Sequence, residues 1–103
     1  MSLFNRLQGL LNKGKDGAPL RVSLAQACMG QGNAHQAIEH LQQAVKLDPD
    51  YTAAWKVYGR ALAMAHRDND ARDAYQHGLQ AARAAGDRQA EREINVFLRR
   101  LDK

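Results

Sequence analysis

Apolar residues fall at helical spacing along most of the chain, and no stretch alternates with the period of two that a strand requires. From Pro19 to Gly30, Leu20, Leu24, Ala27 and Cys28 lie three and four apart on one face, and Pro19 suits a helix's first turn. Gln31 and Gly32 end that helix. Asn33 then has the chemistry of an N-cap, with Gln36 three residues on, and Ala37, Ile38, Leu41, Ala44 and Val45 make the inward stripe of the next helix. Asp48-Pro49-Asp50 stops it, and Asp50 is positioned to cap a helix running to about Ala65 that faces inward through Ala54, Tyr58, Ala61, Leu62 and Ala65. After a turn from His66 to Asn69, Asp70 to Ala85 reads as another helix, striped by Ala71, Ala74, Tyr75, Gly78 and Leu79. Gly86 closes it, and Asp87 caps a last helix striped by Ala90, Ile94, Phe97, Leu98 and Leu101. At the other end, Leu3, Leu7, Leu10 and Leu11 trace the apolar face of a short helix ended by Gly14.

The stripes repeat. Ala37, Leu41, Ala44 and Pro49 recur 34 residues later as Ala71, Tyr75, Gly78 and Arg83, and Arg21, Leu24, Ala25 and Cys28 recur as Trp55, Tyr58, Gly59 and Leu62. A fixed period of this length means stacked helical pairs, each unable to bury its apolar face alone. Leu3, Leu7 and Leu10 lie one period before Ala37, Leu41 and Ala44, so the first helix has the phase of a pair's second half. Strict spacing would place Arg92 and Glu93 at the interlocking positions of the last helix. Two extra residues at Ala84 to Gly86 instead place Ile94 and Leu98 there and align Ala90 with Ala54, the register that buries apolar groups.

Trp55-x2-Tyr58-Gly59-x2-Leu62 followed by Ala71-x3-Tyr75, together with Leu24-Ala25-x2-Cys28, Ala37-x3-Leu41 and Pro49, resembles the tetratricopeptide repeat. Arg21 stands where that pattern has tryptophan, Gly78 replaces alanine and Arg83 replaces proline. The resemblance implies an all-α fold, a right-handed superhelix of antiparallel helix pairs with five to six helices in one domain over 1–103. The parts would be an N-terminal helix at 3–13, repeats at 18–51 and 52–85, and a capping helix at 87–102. Ala25, Gly59, Ala37 and Ala71 would let paired helices approach closely enough for the large side chains to interlock.

The resemblance further implies a concave groove lined by the first helix of each pair, which binds an extended peptide or a partner helix. Its lining would be Val22, Ser23, Gln26 and Met29, then Lys56, Val57, Arg60, Ala63 and Met64, then Arg92, Val96, Arg99 and Arg100, giving a basic groove with soft apolar patches. The family's terminal-carboxylate clamp is not matched, because Val22 and Val57 occupy two of its positions. Met29 and Met64 could contact a partner or fill core gaps. Lys56 and Arg60 lie four apart and would repel unless an anion or acidic neighbour sits between them, although a solvated helix face is the alternative.

Composition narrows the function classes. One cysteine, Cys28, excludes an internal disulfide, and no Cys/His ligand set suggests a metal or cofactor, so a cytoplasmic protein is expected. Met1 to Gly14 is interrupted by Asn5, Gln8 and Asn12 and does not read as a signal peptide, and no stretch is apolar enough to span a membrane. The net charge of +4 is spread along the chain and lacks interleaved aromatics, which places protein ahead of nucleic acid as partner. His35, His40, His66 and His77 lack metal-site spacing and read as surface residues, Trp55, Tyr58 and Tyr75 as packing residues, and Cys28 as an inert buried thiol. Asp48, Asp50, Asp68 and Asp70 sit beside helix starts, where capping explains them. With no nucleophile motif, phosphate loop or dinucleotide fingerprint, the expected function is a non-enzymatic adaptor that binds an acidic or mixed-polarity segment of another protein. The alternative is a self-associating or scaffold subunit. The N-terminal helix could cap the array, mediate self-association or lie on a membrane surface.

Overall fold

The computed structural model describes residues 2–102, and they form α1 (Leu3–Asn12), α2 (Ala18–Gly30), α3 (Ala34–Leu47), α4 (Thr52–Met64), α5 (Asp68–Ala85) and α6 (Arg88–Leu101). Every described element is a helix; α3 and α5 bury the stripes read from the sequence, whereas α2 is apolar on several faces and buries Ala18, Val22, Leu24, Ala25 and Cys28. Side-chain caps fix three of the starts: Ser2 accepts the Asn5 N–H at 3.1 Å, Asn33 that of Gln36 at 3.0 Å and Asp87 that of Ala90 at 3.0 Å.

Two caps differ from expectation. Tyr51, not Asp50, is the N-cap of α4, and the Asp50 N–H is turned back onto the Asp48 carboxylate at 3.2 Å. α5 starts at Asp68 with Arg67 as N-cap, so Asp70 lies inside the first turn and accepts from Arg67 Nε at 3.0 Å. There Asp68 and Asp70 act through their charge, which complements the helix N-terminus, and not as capping acceptors.

Four turns reuse one device. After α1, α2, α4 and α5 the chain passes through a left-handed residue, Gly14 (φ 79°), Gly32 (φ 75°), His66 (φ 60°) and Gly86 (φ 69°). The next N–H then reaches back to the Leu10 carbonyl at 3.1 Å and to the Cys28, Leu62 and Ala82 carbonyls, each at 2.9 Å. His66 is the exception among these residues, holding with a Cβ a conformation that glycine adopts freely.

Neighbouring helices pack in sequence as hairpins. In addition α2 touches α4 and α4 touches α6, whereas α3 and α5 do not meet. The stack therefore curves toward the α2–α4–α6 row. α5 begins 34 residues after α3 but ends 38 after it, and the added turn supplies the offset expected before α6. Accordingly Ile94 is fully buried and Ala90 nearly so, while Arg92 is exposed.

Leu24, Leu41, Leu62, Ile94 and Cys28 are the large wholly buried side chains. Two glycines allow the closest approaches. A Cβ on Gly59 would lie 2.6 Å from Tyr75 Cζ, and one on Gly78 would lie 3.0 Å from Ile94 Cδ1 and 3.1 Å from Trp55 Cβ. α1 packs only along α2, with Phe4 against the core and none of its residues fully buried.

Candidate functional site on the inner helix row

The α2–α4–α6 row encloses an open pocket of about 490 Å³. Met29 of α2, Ala63 and Met64 of α4, and Phe97 and Leu101 of α6 form its apolar lining, and Arg60, Arg100 and Asp68 supply its charges. The Arg60 guanidinium lies 6.0 Å from the Phe97 ring centroid and that of Arg100 lies 5.8 Å from it, within the range where a cation is attracted to a ring. Neither arginine has an ion-pair partner among the described residues.

Phe97 is held by Tyr75 of α5, whose ring stacks on it at 5.6 Å and also lines the pocket. Only 2% of Tyr75 is exposed. Burial pushes its hydroxyl up to about 12, with the charges of Arg60 and Arg100 acting in the opposite direction, so the hydroxyl keeps its proton across physiological pH. A smaller depression of about 400 Å³, formed by Gln26, Met29, Gly30, Arg60 and Met64, adjoins this pocket.

The structure gathers some of the expected groove residues and separates others. Met29, Arg60, Ala63, Met64 and Arg100 converge on the pocket and Gln26 borders it. Val22 and Val57 are a correction: they are 6% and 3% exposed and belong to the hydrophobic core, because their positions face neighbouring helices. Lys56 is engaged by Glu93 at 3.1 Å, the acidic neighbour that relieves its repulsion from Arg60. Arg92 sits apart with Arg88, Glu91 and Asn95 in a polar depression, and Arg99 is exposed without lining the pocket. Tyr75, Phe97, Asp68 and Leu101 were not anticipated in the groove. Phe97 and Arg100 stand three apart on α6, a spacing that signals a shared face.

The histidines need one correction. His40 is buried, at 8% exposure, and its Nδ1 lies 3.1 Å from Arg21 Nη1. A guanidinium only donates, so Nδ1 accepts and the ring is neutral. Burial and the Arg21 charge both hold its pKa below the usual histidine value. Arg21 in turn donates to both Asp16 oxygens, at 2.9 and 3.0 Å, and this bond holds the Asp16 carboxyl below the usual range. Trp55 has a packing role: its Nε1 donates to the Pro49 carbonyl at 2.7 Å and its ring stacks on His77 at 4.6 Å. Cys28 is buried, which raises its thiol pKa and disfavours the reactive thiolate.

On the opposite side a cleft between α3 and α5, also about 490 Å³, is floored by Trp55, Tyr58 and Leu62. Its Arg67 is paired with Asp70 at 2.9 Å, and Lys46 and Asp73 also line it, so its charges balance. Among the described residues no group of three His, Cys, Asp or Glu side chains could hold a metal, and no helix is long and apolar enough to cross a membrane.

Stacked helical hairpins with glycine or alanine at their close crossings define a helical-repeat protein. A family model for the tetratricopeptide repeat matches residues 18–61. The chain is 45% identical over 101 residues to a TPR repeat-containing protein of Pseudomonas aeruginosa, covering 98% of this chain and 96% of that protein. The chain belongs to the tetratricopeptide repeat family. The solution structure of a protein from Bordetella parapertussis matches with a TM-score of 0.85 and 36% identity, over 99% of this chain and 89% of that one. The crystal structure of a tetratricopeptide repeat domain protein from Salinibacter ruber matches with a TM-score of 0.77 and 26% identity, over 84% of this chain and 97% of that one. The fold is a TPR-like helical solenoid, and proteins of this family generally serve as protein–protein interaction modules and typically lack catalytic activity.

Proposed function

We propose that the protein is an adaptor whose inner helix row binds an acidic, partly apolar segment of another protein. The observation that carries this reading is the convergence on Phe97 of two guanidiniums without an ion-pair partner among the described residues, beside the soft surface of Met29 and Met64. The methionines and Leu101 supply adaptable apolar contact and hence much of the affinity, while Arg60 and Arg100 govern association rate and selectivity. The outer cleft offers no comparable charge preference. A fluorescent, acetylated and amidated short peptide carrying leucine beside one glutamate tests this by anisotropy. Binding to the wild type, with a loss of tenfold or more in the Arg60→Glu, Arg100→Glu variant, supports the assignment. Equal binding by both proteins refutes it.

A further inference from the structure

The pocket contains a third donor besides its two arginines. Tyr75 is 2% exposed, it lines the pocket, and its hydroxyl has no hydrogen-bond partner among the described residues. That hydroxyl is nevertheless not sealed off, since no buried side-chain polar atom among the described residues lacks a partner. It therefore reaches solvent through the pocket it lines. A buried phenol normally finds a partner, so this hydroxyl, in a pocket shared with two guanidiniums that have no ion-pair partner among the described residues, is a donor set without its acceptor.

Building on the acidic-segment reading, we propose that Arg60, Tyr75 and Arg100, from α4, α5 and α6, form a receptor for one side-chain carboxylate of the partner, with Tyr75 donating to it directly. The ring of Tyr75 belongs to the core and its hydroxyl to the ligand. Asp68 sets the charge of the site: two guanidiniums and one carboxylate leave a single net positive charge, which one glutamate or aspartate neutralises. A phosphorylated side chain brings close to two negative charges and overshoots, with Asp68 repelling the excess. The receptor therefore selects an acidic residue over a phosphorylated one.

The experiment uses the full chain and three acetylated, amidated peptides that differ at one position: glutamate, glutamine or phosphoserine. Tyr75→Phe keeps the stacked ring and removes only the hydroxyl. A hydrogen bond to a charged group has the strength to change affinity about tenfold or more. Tyr75→Phe is thus expected to weaken the glutamate peptide by about tenfold and leave the glutamine peptide unchanged, while Asp68→Asn raises affinity for the phosphoserine peptide. The wild type is expected to prefer glutamate over phosphoserine. If Tyr75→Phe weakens glutamate and glutamine peptides equally, or neither, or if phosphoserine binds more tightly to the wild type, the receptor is wrong. If the glutamate and glutamine peptides bind equally in the pocket, the groove stands and the receptor falls. If neither peptide shifts pocket amides, the acidic-segment reading falls with it.

Discussion

Gly59→Ala isolates the contact on which the α4–α5 crossing depends. An added Cβ would stand 2.5 Å from Tyr75 Cδ1 and 2.6 Å from Cζ, closer than such atoms pack in folded proteins. The ring has little room to retreat, since Tyr75 is 2% exposed and stacks on Phe97 at 5.6 Å. Overpacking of this kind costs about 1–3 kcal/mol, and an intrusion against a wedged ring belongs at the upper end. Replacing a helical glycine by alanine returns about 1 kcal/mol. The net expectation is a destabilisation of about 2 kcal/mol, or roughly 8–16 °C in Tm for a chain of this size. Thermal and urea unfolding followed by circular dichroism measure it, with Gly9→Ala as control because its Cβ meets nothing within 4 Å. The cost should shrink in a Tyr75→Leu background, where the ring edge is gone. A Gly59→Ala protein as stable as the wild type would refute the close-crossing argument.

Other substitutions probe the remaining links. Ile94→Ala should cost about 2–5 kcal/mol because Ile94 is wholly buried, whereas Arg92→Ala should fall within about 0.5 kcal/mol; urea unfolding showing the reverse order would overturn the α6 register. His66→Gly should stabilise by about 0.5–1 kcal/mol by relieving the left-handed backbone, read as a rise in urea midpoint at constant m-value. The pKa of His40 is lowered in the fold, so below the ordinary histidine value the unfolded chain takes up the proton first. Its contribution to stability is present above pH ~6.5 and declines as pH falls toward the folded pKa. His40→Gln should flatten unfolding free energy against pH in that window, and an unchanged slope would contradict the neutral, Arg21-bonded ring.

The helices were legible because their stripes and several of their punctuating residues are local. Asn33, Asp87 and Gly86 act through neighbours within a turn, and they sit where the sequence placed them. Asp50 is not the cap because α4 begins at Thr52 and Tyr51 takes the N-cap position, one residue beyond it, a start set by the path of the turn in which the Asp50 N–H closes onto Asp48. Periodicity also recovered the α6 register, since only one phase buries Ile94.

The site was legible in part. Met29, Arg60 and Met64 line the pocket at positions the family resemblance implied, but the resemblance could not tell the exposed side of the inner row from its helix-to-helix contacts, which is why Val22 and Val57 proved to be core. Tyr75 escaped notice because one side chain does two things, filling the core with its ring and lining the pocket as well. His40 looked like a surface residue because its partner, Arg21, is 19 positions away on another helix.

Binding of partner segments on the inner row between α2, α4 and α6 is open to amide chemical-shift mapping of the full chain during titration with the amidated leucine–glutamate peptide. Saturable shifts are expected to cluster at Met29, Arg60, Met64, Phe97 and Arg100. Shifts concentrated instead on the α3–α5 cleft around Lys46 and His77, or along α1, would contradict it.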